Sequence, residues 1–343
     1  MLAGRGGSVT ELASATTAPA AKTTWWRDDA SEPVRRNLGL TGVLVVLVVI
    51  GLSTAPNTFL TGGNISNILT QASAIGVITI GMTFVIIGGG IDLSVGSLTA
   101  LAAVWCTTLS TQSFGAGGMV FTAVVVGTVA GAVNGVLIAY GRMVPFIATL
   151  AMMVGAQGLA EKISNKQTQV VNVGSINRLA ANDILGIPVL VLIFAVVTAA
   201  CWVLLNRTTF GRRTVAVGGN AEAARLAGIN VRRQTVLLYA LSGLCCGIAA
   251  IMVVAQSNAG SSGQGVLYEL DAIAAAIIGG TSLTGGRGTV IGSLLGVLVF
   301  TTITNLFILN NLPTEVQNIV KGAIIVGAVL VQQFQPRELF RRR

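Results

Sequence analysis

Long apolar stretches alternate with short polar ones along most of the chain, and their lengths set the elements expected. A helix needs about 20 apolar residues to cross ~30 Å of hydrocarbon, fewer where neighbouring protein shields its ends. Segments near 37–55, 66–88, 95–112, 118–140, 144–160, 187–205, 235–256, 271–283, 289–309 and 317–334 meet that test. The eighth is short enough to be a broken or re-entrant element. The pattern therefore predicts an all-α fold: a polytopic transmembrane helical bundle of about 10 spans, with broken or re-entrant glycine-rich elements. Residues 1–36, rich in Ala, Thr and Ser, read as a flexible cytoplasmic tail. Residues 37–335 form the membrane domain, with a cytoplasmic loop at 206–234, and 336–343 a basic cytoplasmic tail.

Composition agrees with that reading. Hydrophobic residues make up 53% of the chain and charged ones 10%, and the mean hydropathy is +0.80, far from a soluble domain. A formal charge of +9 suggests nucleic acid in a soluble protein, but here the basic residues fall between spans and orient them. No nucleic-acid partner is expected. With the N-terminus inside, all of the 21 Lys and Arg except Lys162, Lys166, Arg178 and Lys321 fall on the cytoplasmic side, which puts both termini there. Lys321, inside the last apolar run with Glu315 ahead of it, reads as a snorkelling cation near the outer face.

The chemistry available is narrow. Cys106, Cys201, Cys245 and Cys246 lie in apolar runs without C-x-x-C spacing, and there is no histidine and no G-x-x-x-x-G-K-[ST] loop. No cofactor, metal site or catalytic residue is predicted, and an enzyme lacks the groups for acid-base work. If ATP drives a process here, another chain hydrolyses it.

Two patterns concern packing. Gly127, Gly131 and Gly135 recur every four positions, as do Gly243 with Gly247 and Gly292 with Gly296, the spacing that lets helix backbones approach. Two glycine breaks also echo each other: Gly88-Gly89-Gly90-Ile91-Asp92-Leu93-Ser94-Val95-Gly96-Ser97 and Gly279-Gly280-Thr281-Ser282-Leu283-Thr284-Gly285-Gly286-Arg287-Gly288. Each has an Ile-Ile-Gly-Gly lead and a Gly-Ser-Leu exit, as in transporters with internal repeats. Asp92 reads in two ways: a cap on the free N–H groups of the next helix, or a polar element beside a water-filled path.

The central loop carries Arg207, Arg212, Arg213, Arg225, Arg232 and Arg233 against the single acid Glu222. At its centre a short helix is expected, N-capped by Asn220, with Glu222 in the first turn, Arg225 near the last, and Gly228 as a left-handed stop before Ile229. About seven helical residues span only ~10 Å and are marginal alone. Such a helix packs on its own chain or on a cytoplasmic partner, or rests on lipid headgroups.

Gly90-Ile91-Asp92-Leu93-Ser94-Val95-Gly96-Ser97, the Gly-Gly-Asn loop through Ala223-Ala224 to Gly228-Ile229, and Thr281-Ser282-Leu283 with Gly285-Gly286-Arg287-Gly288 resemble, in order, the membrane permease subunit of ribose, xylose and galactose ABC importers. The resemblance covers roughly residues 37–335. It implies a pore of two permease subunits forming a homodimer in the cell inner membrane. It also implies a cytoplasmic ABC ATPase with two nucleotide-binding cassettes and an extracytoplasmic sugar-binding protein. The central loop becomes the ATPase-coupling helix, carried over as Gly219, Asn220, Ala223, Ala224, Gly228 and Ile229, with Glu222 and Arg225 inside it. Ala227 replaces a frequent serine, and Ala151 follows Pro145-Phe146-Ile147-Ala148-Thr149-Leu150 where glycine is frequent.

A pathway for sugar needs hydrogen-bonding groups but few strong ones, since a tightly held cargo does not leave. Candidate pathway or gating residues are Asp92, Ser94, Asn134, Thr149, Gln157, Thr281, Ser282 and Asn305, with Gln71, Thr83 and Thr304 as further polar positions in spans. Helix-to-helix hydrogen bonding is the competing role for each. Nucleosides, autoinducer-like sugars and branched-chain amino acids are alternative cargoes. An ion-coupled secondary transporter is disfavoured by the scarcity of acids in the spans.

Overall fold

A computed structural model describes residues 32–333; the tails expected at 1–36 and 336–343 lie outside it, except that residues 32–36 belong to the first helix rather than to a flexible tail. Its helices, in chain order, are α1 (Glu32–Thr54), α2 (Gly62–Ile87), α3 (Val95–Cys106), α4 (Leu109–Gln112), α5 (Gly115–Ala139), α6 (Pro145–Ser164), α7 (Gly174–Ala181), α8 (Val189–Arg207), α9 (Thr209–Gly219), α10 (Ala221–Leu226), α11 (Val231–Ser257), α12 (Tyr268–Ile278), α13 (Val290–Leu309) and α14 (Thr314–Gln333). Four two-residue strands complete it: β1 (Gln169–Val170) pairs antiparallel with β4 (Ala259–Gly260), and β2 (Asp183–Ile184) with β3 (Ile187–Pro188). The protein is an all-α polytopic membrane bundle.

Among the described residues seven helices, α1, α2, α5, α6, α8, α11 and α13, are long and apolar enough to cross a membrane. The expected third span, 95–112, is shorter than predicted: α3 stops at Cys106 and α4 follows after a turn. At the stop the Thr107 and Thr108 hydroxyls donate to the Ala103 and Trp105 carbonyls of the helix end, and Thr108 N-caps α4 by accepting from the Thr111 N–H. The eighth is short, as expected; α12 has 11 residues. Both short helices are interior. Every residue of α3 except Trp105 is buried, and α12 packs on α2, α13 and α14. Backbone breaks at membrane depth are tolerated where protein surrounds them. Burial also orders the long helices: 83% of the apolar window of α2 lies inside the protein against 11% for α1, so α2 is the axis and α1 the rim.

The glycine ridges read separately in the sequence prove to be two halves of one contact. A Cβ at Gly127 would lie 2.8 Å from the Gly247 nitrogen, one at Gly131 2.9 Å from the Gly243 Cα, and one at Gly135 2.6 Å from the Val236 Cα. Helices α5 and α11 therefore touch backbone to backbone. Gly292 and Gly296 likewise face the carbonyls of Gly279, the residue that caps the end of α12, and of Ala275 within it.

The two glycine breaks share a backbone geometry as well as a sequence. Helix α2 ends with Gly89 at φ +83°, and the Gly90 N–H reaches back to the Val85 carbonyl at 3.0 Å. Helix α12 ends with Gly280 at φ +80°, and the Thr281 N–H reaches back to Ala276 at 2.9 Å. Both are the left-handed stop in which glycine avoids a Cβ penalty. The flanking helices run in opposite order of length, long then short at the first break and short then long at the second.

Candidate functional site

The central loop folds as the local chemistry dictates, with one addition. The Asn220 side chain accepts from the Ala223 N–H at 2.9 Å and caps α10. Gly228, at φ +83°, ends it; its own N–H bonds Arg225 O and the Ile229 N–H bonds Ala224 O, both at 3.0 Å. Glu222 and Arg225 form a two-pronged exposed ion pair at 2.6 and 3.0 Å. The hydrogen bond from Arg225, and then its charge, hold the Glu222 carboxyl below its ordinary range. The addition is α9, an eleven-residue helix within the stretch expected to be loop. Its buried face, Gly211, Thr214 and Val217, repeats every three residues. Thr208 caps it, and Gln234 of α11 donates to Thr214 Oγ1 at 2.8 Å.

Helix α10 is six residues long and only Ala224 on it is buried. Gly219, Asn220, Glu222, Ala223 and Arg225 are exposed, and Leu226 is 75% exposed. The loop is thus fixed at its base and presents its capped helix outward.

That base rests on the glycine breaks. The Gly286 N–H donates to the Ile87 carbonyl at 2.8 Å, joining the second break to the end of α2, and the corner between α9 and α10 lies against both.

Four of the predicted polar residues converge at the first break. Asp92 is fully buried, and its Oδ1 accepts from the Ser94 N–H at 3.0 Å and the Ser94 hydroxyl at 2.6 Å. Its Oδ2 accepts from Ser242 Oγ of α11 at 3.0 Å. Asn134 Nδ2 of α5 donates to Ser94 Oγ at 2.8 Å. Thr149 of α6 donates to Pro145 O at 2.9 Å and leans on Ile91 O at 3.4 Å, the carbonyl that also accepts from Tyr239 Oη at 3.2 Å. The expected cap on the first turn of α3 is corrected: Ser94 is the N-cap residue and makes no side-chain cap bond. The carboxylate turns to Ser94 and across to α11 because the Ser94 and Ser242 hydroxyls there supply partners for both of its oxygens.

The remaining candidates lie elsewhere. Asn305 pairs its amide reciprocally with Asn64 at 2.8 and 3.1 Å, linking α13 to α2. Thr281 approaches Ser293 Oγ at 3.4 Å, and Ser293 in turn meets Thr83 at 2.7 Å. Gln157 donates to Ser262 O at 3.0 Å. Ser282 meets Thr284 within the turn of the second break. Thr304 bonds its own helix at Phe300 O. Lys321 is not a snorkelling cation: its Nζ lies 3.3 Å from Asp271 Oδ2 and 5.2 Å from the Phe300 ring centre, with the pair's side chains 19% and 10% exposed. The reading missed Asp271, Ser242, Tyr239, Asn64 and Ser293, each a partner brought from a distant helix. Only Asp271 carried a signal, as an acid in an apolar run. Among the described residues no three His, Cys, Asp or Glu side chains converge as metal ligands.

Comparison with known proteins bears on what such a bundle does. The family model described as branched-chain amino acid transport system / permease component matches residues 64–329. The ribose import permease protein of Escherichia coli (strain K12) is 40% identical over 294 residues, covering 84% of this chain and 91% of that protein. The ribose import permease protein of Bacillus subtilis (strain 168) is 39% identical over 313 residues, 88% and 94% of the two chains. The L-arabinose ABC transporter permease protein of Azospirillum brasilense is 36% identical over 316 residues, 90% and 93%. No solved structure matches the chain significantly. On the family match and these identities, the chain belongs to the branched-chain amino acid transport system / permease component family.

Proposed function

We propose that the protein is the membrane permease subunit of an ABC importer for a monosaccharide, a transport subunit rather than an enzyme. Two copies form the pathway, a separate cytoplasmic ATPase with two nucleotide-binding cassettes drives it, and an extracytoplasmic sugar-binding protein loads it. Both termini and the 206–234 loop face the cytoplasm, a reading supported by the placement of basic residues between the spans. Residues 219–229 dock on the ATPase.

The observation that carries this reading is α10 itself. A six-residue helix with its ends capped, an exposed Leu226 and its base anchored on the bundle has little reason to be ordered unless something docks on it. The named ribose and arabinose permeases support a sugar as cargo. Among the described residues the buried side-chain polar atoms without a partner are Asn37 Oδ1, Thr128 Oγ1, Asn134 Oδ1 and Asn177 Oδ1, and so sparse a set suits a path that passes cargo without holding it.

The test is uptake by cells expressing the subunit with the ATPase and binding protein of its own transport system. Labelled D-ribose, L-arabinose and D-galactose are supplied, and L-leucine serves as the competitor that the family description makes pertinent. Sugar uptake that depends on ATP and resists leucine supports the reading. Uptake of leucine instead moves the cargo to amino acids, and uptake that survives ATP depletion but collapses with an ionophore removes the ABC assignment.

A further inference from the structure

Three backbone segments meet without any side chain between them where the corner of the central loop touches the bundle. A Cβ at Gly218 would overlap the Ile87 carbonyl and stand 2.7 Å from the Gly286 nitrogen. A Cβ at Gly285 would stand 2.7 Å from the Gly218 carbonyl oxygen and 3.0 Å from the Gly89 Cα. The neighbouring Gly219 has nothing within 4 Å of its own Cβ position. So Gly218 is seated against both breaks with no room for a side chain, while Gly219 has room for one although its backbone also lies against Gly286 of the second break. Side chains absorb a displacement by changing rotamer, whereas backbone seated on backbone passes it on. The hydrogen bond from Gly286 N–H to Ile87 O already ties the two breaks to each other, and Gly218 sits over that tie.

From this we infer that Gly218 is a positioning residue: it makes the glycine break after α2 and the one after α12 move together with α10. The inference rests on the reading of α10 as the ATPase contact. It assigns to the two breaks, rather than to α11 alone, the receipt of whatever movement the ATPase imposes.

The experiment compares Gly218→Ala with Gly158→Ala, a change on α6 where a Cβ meets nothing within 4 Å, in the permease co-purified with its ATPase. Basal ATP hydrolysis and its stimulation by the binding protein are read in the presence of D-ribose, L-arabinose or D-galactose. Gly158→Ala behaves as the unaltered protein. Gly218→Ala retains the ATPase and basal hydrolysis but loses stimulation by roughly tenfold, a usual size for coupling between sites. Should Gly218→Ala fail to insert, Val217→Ala replaces it, since Val217 is buried on α9 and its truncation loosens the seat without a clash; stimulation again falls while basal hydrolysis holds. Normal stimulation in an inserted Gly218→Ala protein, or in Val217→Ala, overturns the inference. If Ala223→Arg leaves ATPase binding intact, the reading of α10 fails instead, so the two failures are distinct.

Discussion

Ser242 Oγ donates to Asp92 Oδ2 at 3.0 Å across 150 residues of sequence, so that α11 holds the carboxylate that closes the first glycine break. Ser94 satisfies the other oxygen. Ser242→Ala leaves one buried carboxylate oxygen without its partner, a loss of about 1–3 kcal/mol. The thermal midpoint of the purified subunit in detergent should fall accordingly, while Ser282→Ala, which removes only a bond inside a surface turn, should leave it unchanged. An unaltered midpoint in Ser242→Ala contradicts the role given to Asp92.

The Asp271–Lys321 pair makes a separable prediction. Removing one partner of a buried ion pair strands the other charge, at a cost of roughly 3–5 kcal/mol. Lys321→Met should therefore destabilise α14 against α12 strongly, and the exchange Asp271→Lys with Lys321→Asp should recover much of the loss. A double-mutant cycle on thermal midpoints checks this, and a coupling energy near zero refutes the pair.

The glycine contact between α5 and α11 predicts a sharp contrast among alanine substitutions. Gly243→Ala places a Cβ 3.0 Å from the Gly131 Cα and against the Gly127 carbonyl, forcing the helices apart at a cost of about 1–3 kcal/mol or more. Gly158→Ala meets nothing within 4 Å and should be neutral or mildly stabilising, since glycine in a helix interior costs roughly 0.5–1 kcal/mol. Equal effects at the two sites, measured by yield and thermal midpoint, would argue against close packing.

The exposed Glu222–Arg225 pair sets an expectation for pH. Arg225 depresses the Glu222 pKa, so whatever the pair adds to the order of α10 is present above the ordinary glutamate pKa of about 4.3. It disappears only as pH falls through the lower folded value. Retention of the ATPase on the tagged subunit should accordingly be flat from about pH 6 to 8 as far as this pair is concerned, and Glu222→Gln should not introduce a slope there. A slope confined to the Glu222 protein and absent from Glu222→Gln would show that the carboxyl titrates in that range.

What the sequence disclosed, and what it concealed, follows the range of each interaction. Asn220, Gly228 and the ends of α10 were legible because a cap and a left-handed stop are settled within four residues. Seven of the ten expected spans were legible from apolar length among the described residues; the helices Val95–Cys106, Tyr268–Ile278 and Thr314–Gln333 do not meet the same test. Helix α9 was hidden by Arg212 and Arg213 on its exposed face, although its buried Gly211, Thr214 and Val217 follow a helical period. Lys321 was misread because Asp271 lies 50 residues away. Asp92 drew attention as an acid between apolar runs, but its partner Ser242 could not be found by spacing. The sites named for a pathway became hydrogen bonds between helices in the cases of Asn305 and Asn134, and polarity alone does not separate those roles.

The most direct test of the account is whether α10 is where the ATPase docks. Ala223 is exposed on that helix, and Ala223→Arg adds bulk and charge there without touching the bundle. Retention of the ATPase by affinity-tagged subunit from solubilised membranes is the measurement, with insertion followed by subunit yield. The account predicts normal yield with the ATPase lost and sugar uptake abolished; normal yield with the ATPase retained and uptake unchanged would contradict it.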